Sequence, residues 1–186
     1  MSMAECKQAV LVEKETAHRD CLTGCYDRMT IRHLVDLCFL KSDVRQSHAM
    51  FVIDVDNFKR VNDTWGREFG DIVLNDVAAV LRRIFRRSDY IGRIGDDEFL
   101  VLLRDVEPER LSEKKAQEFY TALGTLFSAR GDERYKPTCS VGIARYPMDG
   151  TLFETVFQSA DAALHEAKRL GLNRVAFASG CEGRKR

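Results

Sequence analysis

The sequence predicts an α+β domain, with a mixed sheet of about five strands flanked by helices. Three observations predict it. Short apolar runs of strand length are interspersed with longer stretches whose apolar residues recur every three or four positions. Two of those runs, 90–94 and 99–103, are separated only by Gly95-Asp96-Asp97-Glu98, a turn signal that joins them as an antiparallel hairpin. No internal repeat or Pro/Gly/Ser-rich linker divides the 186 residues, a length that suits one domain with a sizeable core.

Each element follows from the local pattern. Met3 to Ala17 reads as a helix with Val10 and Leu11 as its main apolar side chains. It is too polar for a core helix, so 1–19 are expected to be a stem or linker. Arg28 to Lys41 keeps Ile31, Leu34, Val35, Cys38 and Phe39 on one face, with Asp27 placed to cap it. Met50 to Val55 is a continuous apolar run of the kind a buried central strand needs. A loop holding Asp63 and Asp71 is expected next, then a helix over 71–87 with the stripe Val73, Val77, Val80, Leu81 and Ile84. After the hairpin come a helix over 109–129, a strand over 138–146, a helix over 152–170 and a closing strand over 174–178. The small, polar, basic tail 179–186 is expected to be disordered.

Composition narrows the function classes. The apolar fraction of 45% and charged fraction of 31% suit an ordinary soluble protein. Lys+Arg (29) balances Asp+Glu (29), so no overall field draws the chain to a nucleic acid polymer or an anionic membrane. The apolar runs are too short to cross a bilayer, and acidic and basic residues interrupt the N-terminus where a secretory signal would lie. Six cysteines form no paired CxxC, as expected of reduced thiols in a cytoplasmic protein. A phosphate-bearing ligand would need a local site.

The candidates for that site are acidic. Asp54 and Asp56 end the first core strand, and Asp96, Asp97 and Glu98 fall at the hairpin turn. Carboxylates that converge from a strand end and a turn repel one another unless a cation intervenes, and hard oxygen donors suit Mg²⁺. Isolated aspartates at such places are more often solvated turn formers. Their order in the chain decides otherwise. Residues 54–71 read D-x-D-x-F-K-x-x-N-D-x-x-G-x-x-x-G-D, and Arg93-Ile94-Gly95-Asp96-Asp97-Glu98-Phe99 follows. Upstream stand Asp20-Cys21-Leu22-Thr23-Gly24 and Asp27-Arg28; downstream stand Ser140-Val141-Gly142-Ile143-Ala144, then Ala160-Asp161-Ala162-Ala163-Leu164 with Lys168.

This series resembles the GGDEF domain, the diguanylate cyclase family, over 20–178, with a variant GDDEF signature. The resemblance implies a fold like the palm of nucleotide cyclases and polymerases, and condensation of two GTP into cyclic di-GMP. It implies Mg²⁺ or Mn²⁺ held by Asp54, the Val55 carbonyl and Asp97, with Glu98 acting electrostatically beside them. It further implies Asn57, Phe58, Lys59, Gly95 and Lys168 around the phosphates, and Asn62 and Asp71 reading guanine. Since each domain would hold one GTP, a homodimer is implied for catalysis. Arg86-Arg87-Ser88-Asp89 has the R-x-x-D arrangement of the family's product-inhibition site, with Arg86 offering a planar fork and Asp89 an acceptor for guanine N–H groups.

Two positions depart from the pattern. Asp96 replaces the second glycine, and a carboxylate ~6 Å from a phosphate costs roughly 3 kcal/mol at an effective dielectric of about 20. Leu172 replaces an arginine expected at the terminal phosphates, with Arg174 a partial substitute; Arg67 replaces a histidine, a lesser change. An active cyclase and a degenerate domain that binds GTP or cyclic di-GMP as a regulatory module both remain open.

Overall fold

A computed structural model describes residues 17–43, 45–105, 108–129 and 137–178. The expected stem helix, apart from Ala17, and the tail from 179 lie outside the described residues; Ala17 is not helical. The elements run α1 (Arg28–Lys41), β1 (His48–Val55), α2 (Phe58–Trp65), α3 (Arg67–Ile84), β2 (Tyr90–Arg93), β3 (Glu98–Leu103), α4 (Pro108–Ala129), β4 (Cys139–Tyr146), α5 (Phe153–Arg169) and β5 (Val175–Phe177).

The five strands form one sheet in the order β2-β3-β1-β4-β5. Every pairing is antiparallel except β4 with β5, which is the mixed sheet expected. All eight residues of β1 are buried because helices cover both faces of the central strand. Its alternation divides the core in two. Ala49, Phe51, Ile53 and Val55 pack with Val73, Val77 and Leu81 of α3 and Phe119 of α4. Met50 and Val52 pack with Ile31, Leu34 and Val35 of α1 and with Ala160 and Leu164 of α5.

Helix α1 starts as expected, with Asp27 accepting from the Thr30 N–H at 2.8 Å. Ahead of it the chain lies along the outer edge of β2: the Tyr26 N–H donates to the Ile91 carbonyl and the Arg93 N–H to the Tyr26 carbonyl. That segment covers the sheet edge.

The loop expected after β1 is instead helical. Phe58 and Val61 are buried at a three-residue spacing, and Gly66, at φ +86°, separates α2 from α3. Asp63 and Asp71 therefore lie on helices, where the local density of Asn, Asp and Gly hid the apolar face. Glu98, expected in the turn, is the first residue of β3. Arg86 and Arg87 lie beyond the end of α3, whose last turn carries Arg82 and Arg83.

Close packing of α5 on β4 explains one motif glycine. A Cβ on Gly142 would overlap the Ala160 carbonyl and the Leu164 amide, both backbone atoms that no rotamer change can move. Gly142→Ala is expected to destabilise the fold by about 2–3 kcal/mol, as overpacking does. An unfolding free energy from urea denaturation within about 0.5 kcal/mol of the native chain, on the order of an ordinary surface change, would show that α5 shifts without penalty.

Candidate functional site

The candidate site is built where β1 ends between its two neighbours. Strand register sets Asp54 opposite Glu98 on β3 and Ser140 on β4. The Val55 N–H donates to the Asp97 carbonyl at 3.1 Å, which closes the signature turn onto the end of β1. Asp54, Asp97 and Glu98, expected together from sequence, are thus carried on adjoining backbone.

Their charges sense one another. Burial, then the charges of Asp54 and Glu98, pushes the Asp97 carboxyl up to about 6, against the pull of Lys168. Burial likewise raises Asp54, against its hydrogen bond and charge interaction with Lys168, and Asp56 adds to the rise. Glu98 is raised by burial and by Asp54; Asp161 adds to this, and Lys168 and Arg28 oppose it. The Lys168 ammonium, from the last turn of α5, sits 2.8 Å from Asp54 Oδ2. Three partly desolvated carboxylates with one ammonium among them leave excess negative charge, which a divalent cation would offset. Among the described residues no three His, Cys, Asp or Glu side chains converge as a cage. The donors on offer are the Asp54 and Asp97 carboxylates and the Val55 carbonyl.

Gly95 makes room for the acid beside it, since a Cβ there would lie 2.6 Å from Glu98 Oε2. Arg93, which sequence reading left without a role, ties the turn down. Its guanidinium donates to the Gly95 carbonyl at 3.2 Å, to the Asp96 carbonyl at 2.8 Å and to Asp20 at 3.2 Å. Asp20 in turn accepts from the backbone N–H and hydroxyl of Thr23. The signal lay in the arginine that opens the signature and the aspartate that opens the upstream motif. Asp96 itself is exposed. Its φ is not left-handed, so the turn does not demand glycine there; among the described residues the positive-φ non-glycine positions are Asn57, Asp105, Leu172 and Asn173.

Asn57, at φ +55°, turns the chain from β1 into α2 and makes no side-chain cap. The first-turn amides of α2 therefore have no capping side chain from it, beside buried Phe58 and exposed Lys59. Asn62 lies over Gly70, where a Cβ would overlap its Oδ1, and that buried oxygen has no hydrogen-bond partner. Asp71 follows Gly70 on α3 and is exposed. The two expected guanine readers therefore flank the same glycine across the α2–α3 elbow.

Arg86 and Asp89 precede Tyr90, whose partner Leu102 pairs with Met50, so they stand at the other end of the sheet from Asp54. Arg86 lines a cleft of about 380 Å³ together with Arg19, Tyr26, Arg82, Arg87 and Asp89. Asp89, expected to accept guanine N–H groups, is 5% exposed. Its oxygens already accept from the backbone amides of Arg86 (2.7 Å) and Arg104 (3.2 Å). It holds the α3–β2 link while lining the same cleft as Arg86.

The family model described as "Diguanylate cyclase, GGDEF domain" matches residues 17–174. The chain is 32% identical over 171 residues to the probable diguanylate cyclase DgcT of Escherichia coli, covering 90% of this chain and 37% of that protein. It is 34% identical over 173 residues to diguanylate cyclase DgcP of Pseudomonas aeruginosa, covering 89% and 25%. The cyclic di-GMP phosphodiesterase NbdA of the same species is 33% identical over 174 residues, covering 89% and 21%. The chain thus spans well under half the length of these curated relatives. Among solved structures, the GGDEF domain of PA1120 (TpbB or YfiN) from Pseudomonas aeruginosa superposes with a TM-score of 0.80 at 28% identity, covering 87% of this chain and 95% of that one. The GGDEF domain of DgcB from Caulobacter crescentus, in complex with c-di-GMP, gives 0.74 at 28% identity, covering 87% and 96%.

Proposed function

The chain belongs to the diguanylate cyclase GGDEF domain family, and from that premise we propose that it condenses two GTP into cyclic di-GMP and two pyrophosphates. The observation that carries this reading is the set Asp54, Asp97 and Glu98 gathered about the end of β1, their pKa values raised by burial and by one another's charge, with a single ammonium among them. Asp54, Asp97 and the Val55 carbonyl would hold Mg²⁺ or Mn²⁺. When bound, the cation supplies neutralisation of the triphosphate and acidification of the ribose 3′-hydroxyl. Glu98 keeps the cation side of the site anionic. Lys168, released from Asp54, and Lys59 with the first-turn amides of α2 bind phosphate oxygens. Each 3′-hydroxyl attacks the α-phosphate held by a second copy, so the working unit is a homodimer. The site of action is the cytoplasm, where GTP is made; no helix among the described residues is long and apolar enough to cross a membrane. Arg86 takes the product in the arginine-lined cleft.

Guanine is read at the α2–α3 elbow. The unpaired Asn62 oxygen accepts a guanine N–H, and the Asp71 carboxylate accepts from the N1/N2 edge that adenine lacks. Gly70→Ala tests this without threatening the fold. The new methyl meets side-chain atoms only, overlapping the Asn62 amide oxygen and crowding the tip of the Phe58 ring at 3.2 Å, and alanine gains up to about 1 kcal/mol of helix propensity to offset this. Stability is expected to hold or rise while GTP affinity falls about tenfold, one hydrogen bond's worth. Calorimetry showing unchanged GTP affinity would remove Asn62 from the role.

A second reading, a regulatory module that binds nucleotide without turning it over, is favoured by Asp96 and Leu172. Incubation with GTP and Mn²⁺, followed by chromatography for cyclic di-GMP, separates the two. Product above a control without protein establishes the cyclase. Its absence, with GTP binding retained, establishes the module.

A further inference from the structure

We infer that Asp56 is a positioning residue that latches the α5–β5 loop over the phosphate side of the site, a role that rests on the cyclase reading above. Asp56 is two residues past Asp54 and is 3% exposed. Both of its oxygens are engaged. Oδ1 accepts from the Ser140 hydroxyl at 2.6 Å; Oδ2 accepts from the Thr138 hydroxyl at 2.6 Å and the Asn173 N–H at 2.9 Å. Its own N–H donates to the Thr138 carbonyl at 2.8 Å. A buried carboxylate that accepts from three donors is held in one orientation, so it works as a fixed bracket.

What the bracket holds is a loop that would not hold itself. Gly171, Leu172 and Asn173 follow one another at φ +120°, +56° and +47°. Two consecutive non-glycine residues in the left-handed region persist only where their surroundings over-determine them. Upstream, the Gly171 N–H reaches the Lys168 carbonyl; downstream, the Val141 N–H takes the Arg174 carbonyl and β5 begins. Between those points the bond from the Asn173 amide to Asp56 fixes the turn. Lys168, whose ammonium meets Asp54, lies just before this turn, and Leu172 lies within it. Asp54 and Asp56 thus divide one stretch of β1. The first meets the charge of α5, and the second fastens the loop that sets where α5 ends. The sequence separation of 56 from 138, 140 and 173 conceals the latch from any local reading.

The latch is tested with 3′-deoxy-GTP, which binds but cannot be joined. Asp56→Ala should speed exchange of the Asn173 amide at least thirtyfold in the nucleotide-free protein. It should also weaken 3′-deoxy-GTP about tenfold while leaving GMP affinity within twofold. The same substitution made on a Lys168→Met background should weaken 3′-deoxy-GTP less than threefold further, because the loop then has no ammonium to place. Asp56→Asn keeps the side-chain shape and one acceptor oxygen, so it guards against loss of folding and should show a smaller acceleration. An Asn173 amide equally protected in both variants, or equal losses with and without Lys168, would overturn the latch. If the native chain fails to bind 3′-deoxy-GTP, the nucleotide reading fails, and amide exchange alone still decides whether Asp56 holds the loop.

Discussion

Asp97→Asn is expected to abolish nearly all cyclic di-GMP formation while making the nucleotide-free protein more stable. The loss should be about a thousandfold, since a metal-held transition state gains several kcal/mol from charge stabilisation that a neutral amide does not support. The gain has the opposite origin. The Asp97 carboxyl is pushed up to about 6 in the folded chain from an ordinary value of 3.8. A carboxyl whose pKa is raised by folding favours the folded state most below the unfolded pKa, and that advantage is lost as pH rises through the folded value. Above about pH 6 the ionised group therefore burdens the fold, by at most ~3 kcal/mol from the shift and by about 1–2 after allowing for its partial exposure. Asparagine removes that burden. The variant should melt about 2–8 °C higher than the native chain at pH 8 and at nearly the same temperature at pH 4. Mn²⁺ should raise the native melting temperature more at pH 8 than at pH 5, where the proton competes for Asp97, and should not raise that of the variant. Activity within tenfold of native, or a Mn²⁺ response that survives the substitution, would remove Asp97 from the metal site.

Restoring the two departed positions should raise product formation by about ten- to a thousandfold. Leu172→Arg returns a charge-assisted phosphate contact of about 1.5–3 kcal/mol. The larger share is expected from this position, because Leu172 lies in the loop that follows Lys168. Asp96→Gly contributes less, up to about tenfold, since Asp96 is exposed and the Arg93 guanidinium already touches its carbonyl. The gains should multiply, as for sites that share no partner, and should be seen mainly as a lower KM for GTP. A native chain as fast as the restored one would mean that the departures are harmless. A restored chain that binds GTP and makes no product would place the defect in the pairing of two copies.

Much of the fold was legible because its signals are local. Asp27 announced the start of α1, the apolar run announced β1, and the Gly-and-acid turn announced the hairpin. The α2 helix was not legible, because its polar residues are those of turns and only burial of Phe58 and Val61 marks its face. His48 and Ala49 were missed at the start of β1 for a related reason. A histidine reads as a boundary, whereas here the ring is buried, with Nε2 2.7 Å from the Ser42 hydroxyl and Nδ1 accepting from the Asp105 N–H. At the site, the acids were found from their order along the chain. The partners that fix them were not, since Asp20 to Arg93 and Asp56 to Asn173 are links between distant segments. Asp89 has a second task that the short string did not show: its carboxylate also accepts from the backbone amides of Arg86 and Arg104.

The placement of β1 at the centre of the sheet also governs when the site comes into being. Asp54 meets Glu98 from β3, then Ser140 from β4 and Lys168 from α5, all made later than itself. As the chain emerges during synthesis, the hairpin arrives first and closes one side of β1. The other side stays open until β4 is complete, leaving a long apolar edge able to pair with any strand nearby. Because those closing contacts join segments about ninety residues apart, they form late and slowly. The meeting of Asp54 with Ser140 and Lys168 is therefore among the last steps of the nascent domain's folding, and aggregation during expression is the hazard of the interval before it.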